Sequence, residues 1–328
     1  MQTKPVLLVI LAALLLFSAC QPTTAPTALP PTTTTAASEP TAVPTDIPAA
    51  TATPVPAPTD TSISPTDTSI APTDTNVPAL PPLPAEAQRI EFQAKDGTPL
   101  VGYYYPAAVN PAPVIVLMHW AGGDQTDWLY VGMVAWLQNR GVEVPIPPTT
   151  KYFDTPYLFQ PLPENLSFGV FTFDFRGYGE SGPHTGKQSE LILDAQAAYE
   201  TATKLEGANA TLVAGIGASI GADAAAEGCN EACIAALSLG PGNWLELSYA
   251  EAVTAMDALE KPAWCVATED APTDLETCNS AAGALYQIVS YPTGGHAMRL
   301  FRAEAALDPV IEVQILDFLR LVFDLPAG

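Results

Sequence analysis

One bend restricts this chain more than any other stretch: Gly215-Ile216-Gly217-Ala218-Ser219-Ile220-Gly221. The apolar run Thr211-Leu212-Val213-Ala214 leads into it, and the Ala-rich residues 222–227 leave it. A buried strand that turns at once into a helix leaves no room for side chains beside the turn residue. Gly217 and Gly221 supply that room, and Ser219 is then presented on a strained bend above the sheet edge. The next backbone N–H, that of Ile220, falls at a helix N-terminus, where partial positive charge can receive an oxyanion. Small residues in this pattern also suit a plain packing turn, so the purpose of the bend has to be read from the rest of the chain.

Residues 90–94 and 100–105 alternate around Asp96-Gly97, the pattern of an antiparallel hairpin. Residues 114–118 form a continuous apolar run, as in a strand buried on both faces, and end in His119-Trp120-Ala121-Gly122-Gly123. Residues 127–139 have helical spacing and stop before Gly141. A strand over 168–173 leads into Asp174-Phe175-Arg176-Gly177-Tyr178-Gly179-Glu180-Ser181-Gly182, and a helix is expected over 189–205. Further buried strands are expected at 211–215, 234–239, 263–267 and 286–291, and a last helix over 309–323. Strands alternating with helices predict an α/β domain with a mostly parallel sheet and helices on both faces. In such sheets ligands bind beyond the carboxyl ends of the strands.

The stretch 142–167 breaks this rhythm with Pro145, Pro147, Pro148, Pro156, Pro161 and Pro163 among Tyr152, Phe153, Tyr157 and Phe159. A loop of this length without elements of its own suits a lid or substrate wall. An insertion held down by its own aromatics is the alternative.

The N-terminus has a different composition. Lys4 precedes an apolar run over residues 6–19, too short to span a bilayer comfortably and matching a secretory h-region. It closes on Phe17-Ser18-Ala19-Cys20, which resembles a bacterial lipobox. That resemblance implies that residues 1–20 are a bacterial lipoprotein signal peptide, cleaved before Cys20 with its thiol lipidated, and that the protein is anchored to a membrane outside the cytoplasm, at the cell surface or on a periplasmic face. An ordinary signal peptide with an incidental cysteine is the alternative. Residues 21–86 are rich in Thr, Pro, Ala and Ser and contain no Lys or Arg, with a seven-residue repeat beginning at Pro58, Pro65 and Pro72. A proline in each repeat forbids a coiled coil, and so polar a segment cannot bury enough apolar area to fold. A disordered tether is expected, at most roughly 200 Å long at about 3.1 Å per residue.

Residues 87–328 then form one domain of ordinary size. The formal net charge is −23, from 35 acidic and 12 basic residues, and this domain carries most of it. So acidic a surface argues against nucleic acid as partner. After Cys20 four cysteines remain, falling as the local pairs Cys229 with Cys233 and Cys265 with Cys278. No metal pattern joins them to histidine, and in an exported chain disulfides follow, although other pairings or reduced thiols satisfy the same spacing.

The order of His119-Trp120-Ala121-Gly122-Gly123, Asp174-x-Arg-Gly-x-Gly-x-Ser, Gly217-Ala-Ser-Ile-Gly, Ala267-Thr-Glu-Asp270 and Gly295-His296 resembles the α/β-hydrolase superfamily, most of all its dienelactone-hydrolase-like and small serine esterase branches. The resemblance covers essentially residues 89–325. It implies the α/β-hydrolase fold, no cofactor, and a Ser–His–acid triad. Ser219 would be the nucleophile and His296 the base, taking the serine proton and returning it to the leaving group. His119 matches the superfamily's structural histidine, and His184 reads as a solvated loop residue. Glu269, Asp270 and Asp274 all lie near the relevant strand end. The usual spacing favours Asp270 as the orienting acid, with Glu269 as the alternative, and Asp274 reads as a helix cap before Leu275. The oxyanion donors would be the N–H groups of Ile220 and Ala121. Trp120 departs from the superfamily's glycine at that place.

The function expected from this set is an extracytoplasmic, membrane-anchored serine hydrolase of small-molecule carboxylic esters. A thioesterase, lactonase, amidase or acyltransferase would use the same triad. A non-catalytic surface-binding module on a hydrolase scaffold is the reading from another class. Oligomeric state is not legible in the sequence.

Overall fold

The computed structural model describes residues 80–141 and 159–325. The expected signal peptide, the Cys20 lipidation site, the tether up to residue 79 and most of the 142–167 insertion lie outside the described residues. The elements, in chain order, are β1 (Gln88–Gln93), β2 (Pro99–Tyr105), β3 (Ala112–Met118), α1 (Asp127–Tyr130), α2 (Met133–Gln138), β4 (Gly169–Phe173), α3 (Leu191–Ala202) and β5 (Ala208–Ala218). They continue with α4 (Ile220–Glu227), β6 (Ala235–Leu239), α5 (Tyr249–Ala258), β7 (Ala263–Thr268), α6 (Pro272–Ser280), β8 (Tyr286–Tyr291) and α7 (Ile311–Phe323).

The eight strands form one sheet in the order β1-β2-β4-β3-β5-β6-β7-β8. The hairpin β1–β2 and the pairing of β2 with β4 are antiparallel, and every other neighbour is parallel. The expected sheet with helices on both faces is therefore present. β3 shows why its sequence is apolar throughout. Ile115 and Leu117 pack into a core layer with Trp128, Val134, Ile315 and Phe318, from α1, α2 and α7. Val114, Val116 and Met118 point to the other face and pack with Leu191, Ala198, Ala224 and Val253, from α3, α4 and α5. Successive strand residues face opposite ways, so burying both faces requires an unbroken apolar run.

Three expectations change in detail. The helix expected over 127–139 is split into α1 and α2 at Gly132, whose positive φ of 85° ends the first turn. β8 is half exposed rather than buried, because it is the last strand of the sheet with a neighbour on one side only. β5 runs on to Ala218, so the strand delivers the chain directly to Ser219. The end of the Pro/Thr-rich segment lies against the domain, where Gln138 Nε2 donates to Ala85 O at 3.2 Å. The described end of the insertion is packed too: Phe159 stacks on Trp136 at 4.8 Å, and Trp136 Nε1 donates to Gln160 O at 2.8 Å. Among the described residues no helix is long and apolar enough to cross a membrane.

Candidate active site

Ser219 sits between β5 and α4 with φ 56° and ψ −117°, a conformation that non-glycine residues rarely adopt. Its N–H donates to Leu239 O at 3.0 Å, tying the bend to the end of β6. The flanking glycines are required by backbone, not by side chains. A Cβ on Gly217 would lie 1.8 Å from Gly221 O, and one on Gly221 would lie 2.3 Å from Met118 O. The first turn of α4 is thus pressed against the end of β3. Ser219 O accepts from Ala222 N at 2.8 Å and Asp223 N at 3.2 Å, which closes the first helical turn. The Ile220 N–H precedes those donors and has no intrahelical acceptor.

His296 follows Gly294 and Gly295 after β8. Its Nε2 is 2.9 Å from Ser219 Oγ, and its Nδ1 is 2.7 and 2.9 Å from the two carboxylate oxygens of Asp274. Asp274, not the expected Asp270, is therefore the carboxylate that faces the imidazole. It is the third residue of α6 and only 2% exposed, so it is no cap; the cap position belongs to Ala271. An anion in the first turn of a helix is favoured by the helix dipole. A Cβ on Gly240 would lie 2.6 Å from Asp274 Oδ2, so the glycine after β6 makes the space this carboxylate occupies.

Asp270 has another task. Its Oδ1 accepts from Thr268 Oγ1 at 2.6 Å and from Gly295 N at 3.0 Å, and its Oδ2 accepts from Gly294 N at 3.3 Å. These bonds, that from Thr268 foremost, hold its pKa below the ordinary carboxylate value. Asp270 braces the backbone just before His296 without touching the ring. Glu269 is exposed, and its N–H donates to Tyr291 O at 2.8 Å.

Trp120, the departure from the expected glycine, is folded beneath its own loop. Its indole Nε1 donates to Asp127 Oδ2 at 2.6 Å, and its ring lies 2.9 Å from where a Gly122 Cβ would be. Burial pushes the Asp127 carboxyl up to about 6, against that bond. Ala121 is left exposed on the loop. His119 is fully buried, its Nδ1 2.8 Å from Trp120 O and its Nε2 accepting from Phe175 N at 3.1 Å. Burial lowers its pKa, so it stands as a neutral structural ring, as expected. His184 Nε2 lies 3.0 Å from Lys187 O, in its own loop. Asp174 accepts from Gln125 N and Glu180 N, both at 3.0 Å, and so braces two loops.

Both expected disulfides, Cys229–Cys233 and Cys265–Cys278, are formed. The second joins β7 to α6, the helix that carries Asp274. Among the described residues no group of three or more His, Cys, Asp or Glu side chains is arranged to hold a metal ion. Two residues absent from the sequence reading also frame the site. Trp244 packs edge-to-face on His296 with ring centroids 5.7 Å apart, and Asp223, buried in α4, accepts from Gly242 N at 3.0 Å and from Trp244 N. No motif marks either; only the placement of the loop after β6 beside α4 brings them in.

No family model matches the chain. The uncharacterized protein YfhR of Escherichia coli K12 is 30% identical over 119 residues, and that of Salmonella typhi is 32% identical over 124. Each match spans 36% of this chain and 32% of the relative's length, so the chain matches about a third of these relatives. Among solved structures, the Pyrococcus furiosus esterase Pf2001 superposes with a TM-score of 0.53 at 14% identity, over 72% of this chain and 91% of that one. The α/β hydrolase GrgF from Penicillium sp. sh18 gives 0.50 at 14% identity, over 73% and 99%. A hypothetical protein from Pseudomonas aeruginosa, PA2218, gives 0.51 at 13% identity, over 73% and 96%. The fold of this chain is that of the α/β hydrolases.

Proposed function

We propose that this protein is a serine hydrolase of carboxylic esters, with Ser219 as nucleophile, His296 as general base and acid, and Asp274 as orienting carboxylate. The observation that carries this reading is the unbroken hydrogen-bonded path from Ser219 Oγ through His296 to Asp274, built on a strained bend at the carboxyl end of β5. Asp274 holds the imidazole with Nδ1 protonated, which leaves Nε2 free to accept the serine proton. Oγ then attacks the ester carbonyl carbon, and the negative charge moves to the carbonyl oxygen. The Ile220 N–H at the start of α4 and the Ala121 N–H receive that charge. Collapse of the adduct breaks the carbon–oxygen bond, and His296 Nε2 gives its proton to the departing alkoxide. Water, deprotonated by the same nitrogen, attacks the acyl-enzyme, releases the carboxylic acid and restores Ser219.

The test is labelling of the full chain with an active-site-directed fluorophosphonate, read by peptide mass spectrometry. Modification at Ser219, abolished in Ser219→Ala, is expected together with a loss of turnover on the order of a million-fold. A folded protein that resists the probe overturns the reading.

We further propose that the domain works outside the cytoplasm on a lipid anchor at Cys20, supported by the apolar run 6–19 and by Phe17-Ser18-Ala19-Cys20. Metabolic incorporation of a fatty-acid analogue into the wild type and not into Cys20→Ser is the expected result. Equal incorporation in both overturns it.

A further inference from the structure

We propose that Trp244 is the specificity-determining wall of the leaving-group side, selecting esters of flat cyclic alcohols, and that Asp223 is the positioning residue that holds it there. The proposal rests on the serine-hydrolase reading and deepens it.

Trp244 is 38% exposed, yet three separate features fix it. Asp223, fully buried one helical turn after Ser219, takes the N–H groups of Gly242 and Trp244 on its two carboxylate oxygens. Gly242 provides the bed for the ring: a Cβ there would lie 2.2 Å from the indole Cε2. The loop itself is bent by positive φ at Gly240, Asn243 and Glu246, and Asn243 Oδ1 accepts Tyr249 N at 2.8 Å to join it to α5. A loop so constrained around an exposed tryptophan holds that ring for a purpose other than packing.

The position of the ring says which purpose. Trp244 and His296 line one cleft of about 320 Å³ together with Thr273, Gly295, Asp270 and Arg299. Asp274 lines it too, whereas Ser219, Ile220 and Ala121 do not, so the cleft flanks His296 on the side away from the oxyanion donors. His296 Nε2 must protonate the departing oxygen, so the alcohol part of the ester lies on the histidine side of the scissile bond, where the Trp244 ring packs edge-to-face on the imidazole and leads on to this cleft. One aromatic wall amid polar groups suits an alcohol with a flat apolar face and polar edges, an aryl or a sugar ring, better than a linear alkyl chain.

The experiment compares acetate esters of three alcohols on the full chain: ethanol, phenol and methyl glucoside. The acyl group is constant, so only the leaving group varies. Trp244→Ala should lose about tenfold more kcat/KM on the phenyl and glucoside esters than on the ethyl ester, mainly through KM, with Trp244→Phe restoring the phenyl ester. Asp223→Asn should reproduce the same bias with a smaller amplitude. Gly242→Ala displaces the indole while keeping the backbone N–H that Asp223 accepts and the Asp223 and His296 side chains, and should show the bias even if Asp223→Asn fails to fold. Bias on the phenyl ester alone assigns the wall to aryl alcohols, and bias on the glucoside alone assigns it to sugars. An equal fall in kcat on all three esters overturns the proposal, since Trp244 would then only steady the imidazole. Fluorophosphonate labelling of Ser219 is read in parallel: its absence in the wild type defeats the serine-hydrolase reading itself, whereas labelling without leaving-group bias defeats this inference alone.

Discussion

Asp274 reaches His296 from inside the first turn of α6, with its oxygens 2.7 and 2.9 Å from Nδ1, whereas Asp270, four residues earlier, bonds Thr268 and the two glycines that precede the histidine. The two carboxylates have separable effects. Asp274→Asn leaves the shape intact but offers an amide where the imidazole needs an anion, and should lower kcat by about 10⁴, as the equivalent change does in serine protease triads. Asp270→Asn keeps a carbonyl oxygen for the glycine amides and should stay within about tenfold of wild type, since a neutral acceptor retains much of a hydrogen bond's worth. Steady-state kinetics of the two variants on one ester decide the matter; a larger loss at Asp270 would reverse the assignment.

The glycines around Ser219 give a prediction about folding. A methyl group on Gly217 would overlap the Gly221 carbonyl oxygen at 1.8 Å, and one on Gly221 the Met118 carbonyl oxygen at 2.3 Å. Backbone atoms cannot rotate away as a side chain can, so α4 would have to separate from β3 and β5. Overpacking of this kind costs about 1–3 kcal/mol where side chains can yield, and more is expected here. Gly217→Ala and Gly221→Ala should lower the thermal midpoint by ten degrees or so, a shift that follows from a few kcal/mol in a domain of this size. Circular dichroism melts provide the check, and midpoints equal to wild type would contradict the geometry.

The bend, the histidine that meets Ser219 and the sheet were legible because each is a local pattern: a glycine-flanked serine, a histidine after a strand, apolar runs of strand length. The acid was not legible, because three carboxylates lie within six residues and only the angle of α6 decides which meets the imidazole. Pro272 at the start of α6 was the unused signal, since proline favours the first helical position and puts Asp274 inside the helix rather than at its cap. Trp120 misled in the opposite direction: it breaks a motif, yet its ring is tucked under the loop against Asp127. Trp244 and Asp223 carry no motif at all and meet only because β6 lies beside β5 in the sheet.

The disulfides should differ in what they protect. Cys265–Cys278 ties β7 to the helix carrying Asp274, while Cys229–Cys233 closes a short loop after α4. Loop-closure entropy gives about 3 kcal/mol for the longer loop and about 2 kcal/mol for the shorter. The double change of Cys265 and Cys278 to serine should lower both the melting midpoint and kcat, because α6 is free to shift relative to β7. The double change of Cys229 and Cys233 to serine should lower the midpoint with kcat unchanged. Paired melts and kinetics separate the two, and an equal effect on kcat would show that the bridge has no part in placing the acid.

Buried carboxylates set the dependence of stability on pH. Burial pushes the Glu227 carboxyl from its ordinary 4.5 up to about 8, with both oxygens enclosed and without a hydrogen-bond partner among the described residues. Burial also pushes Asp223 from 3.8 up to about 7, against the loop amides that it accepts. A carboxyl whose folded pKa lies above its unfolded value holds its proton more tightly when folded. Its contribution to stability is therefore complete below the unfolded value and is lost as pH rises through the folded one. Asp96, held down to about 2 by Arg176, titrates below this window. The melting midpoint should fall as pH rises from 5 to 9, within the range set by these two groups. Glu227→Gln removes the cost of a buried anion, on the order of a few kcal/mol. It should raise the midpoint at the alkaline end, leave the acidic end nearly unchanged and so flatten the slope. Differential scanning fluorimetry of both proteins across the range is the check, and equal slopes in the wild type and Glu227→Gln would show that Glu227 ionises in the fold without penalty.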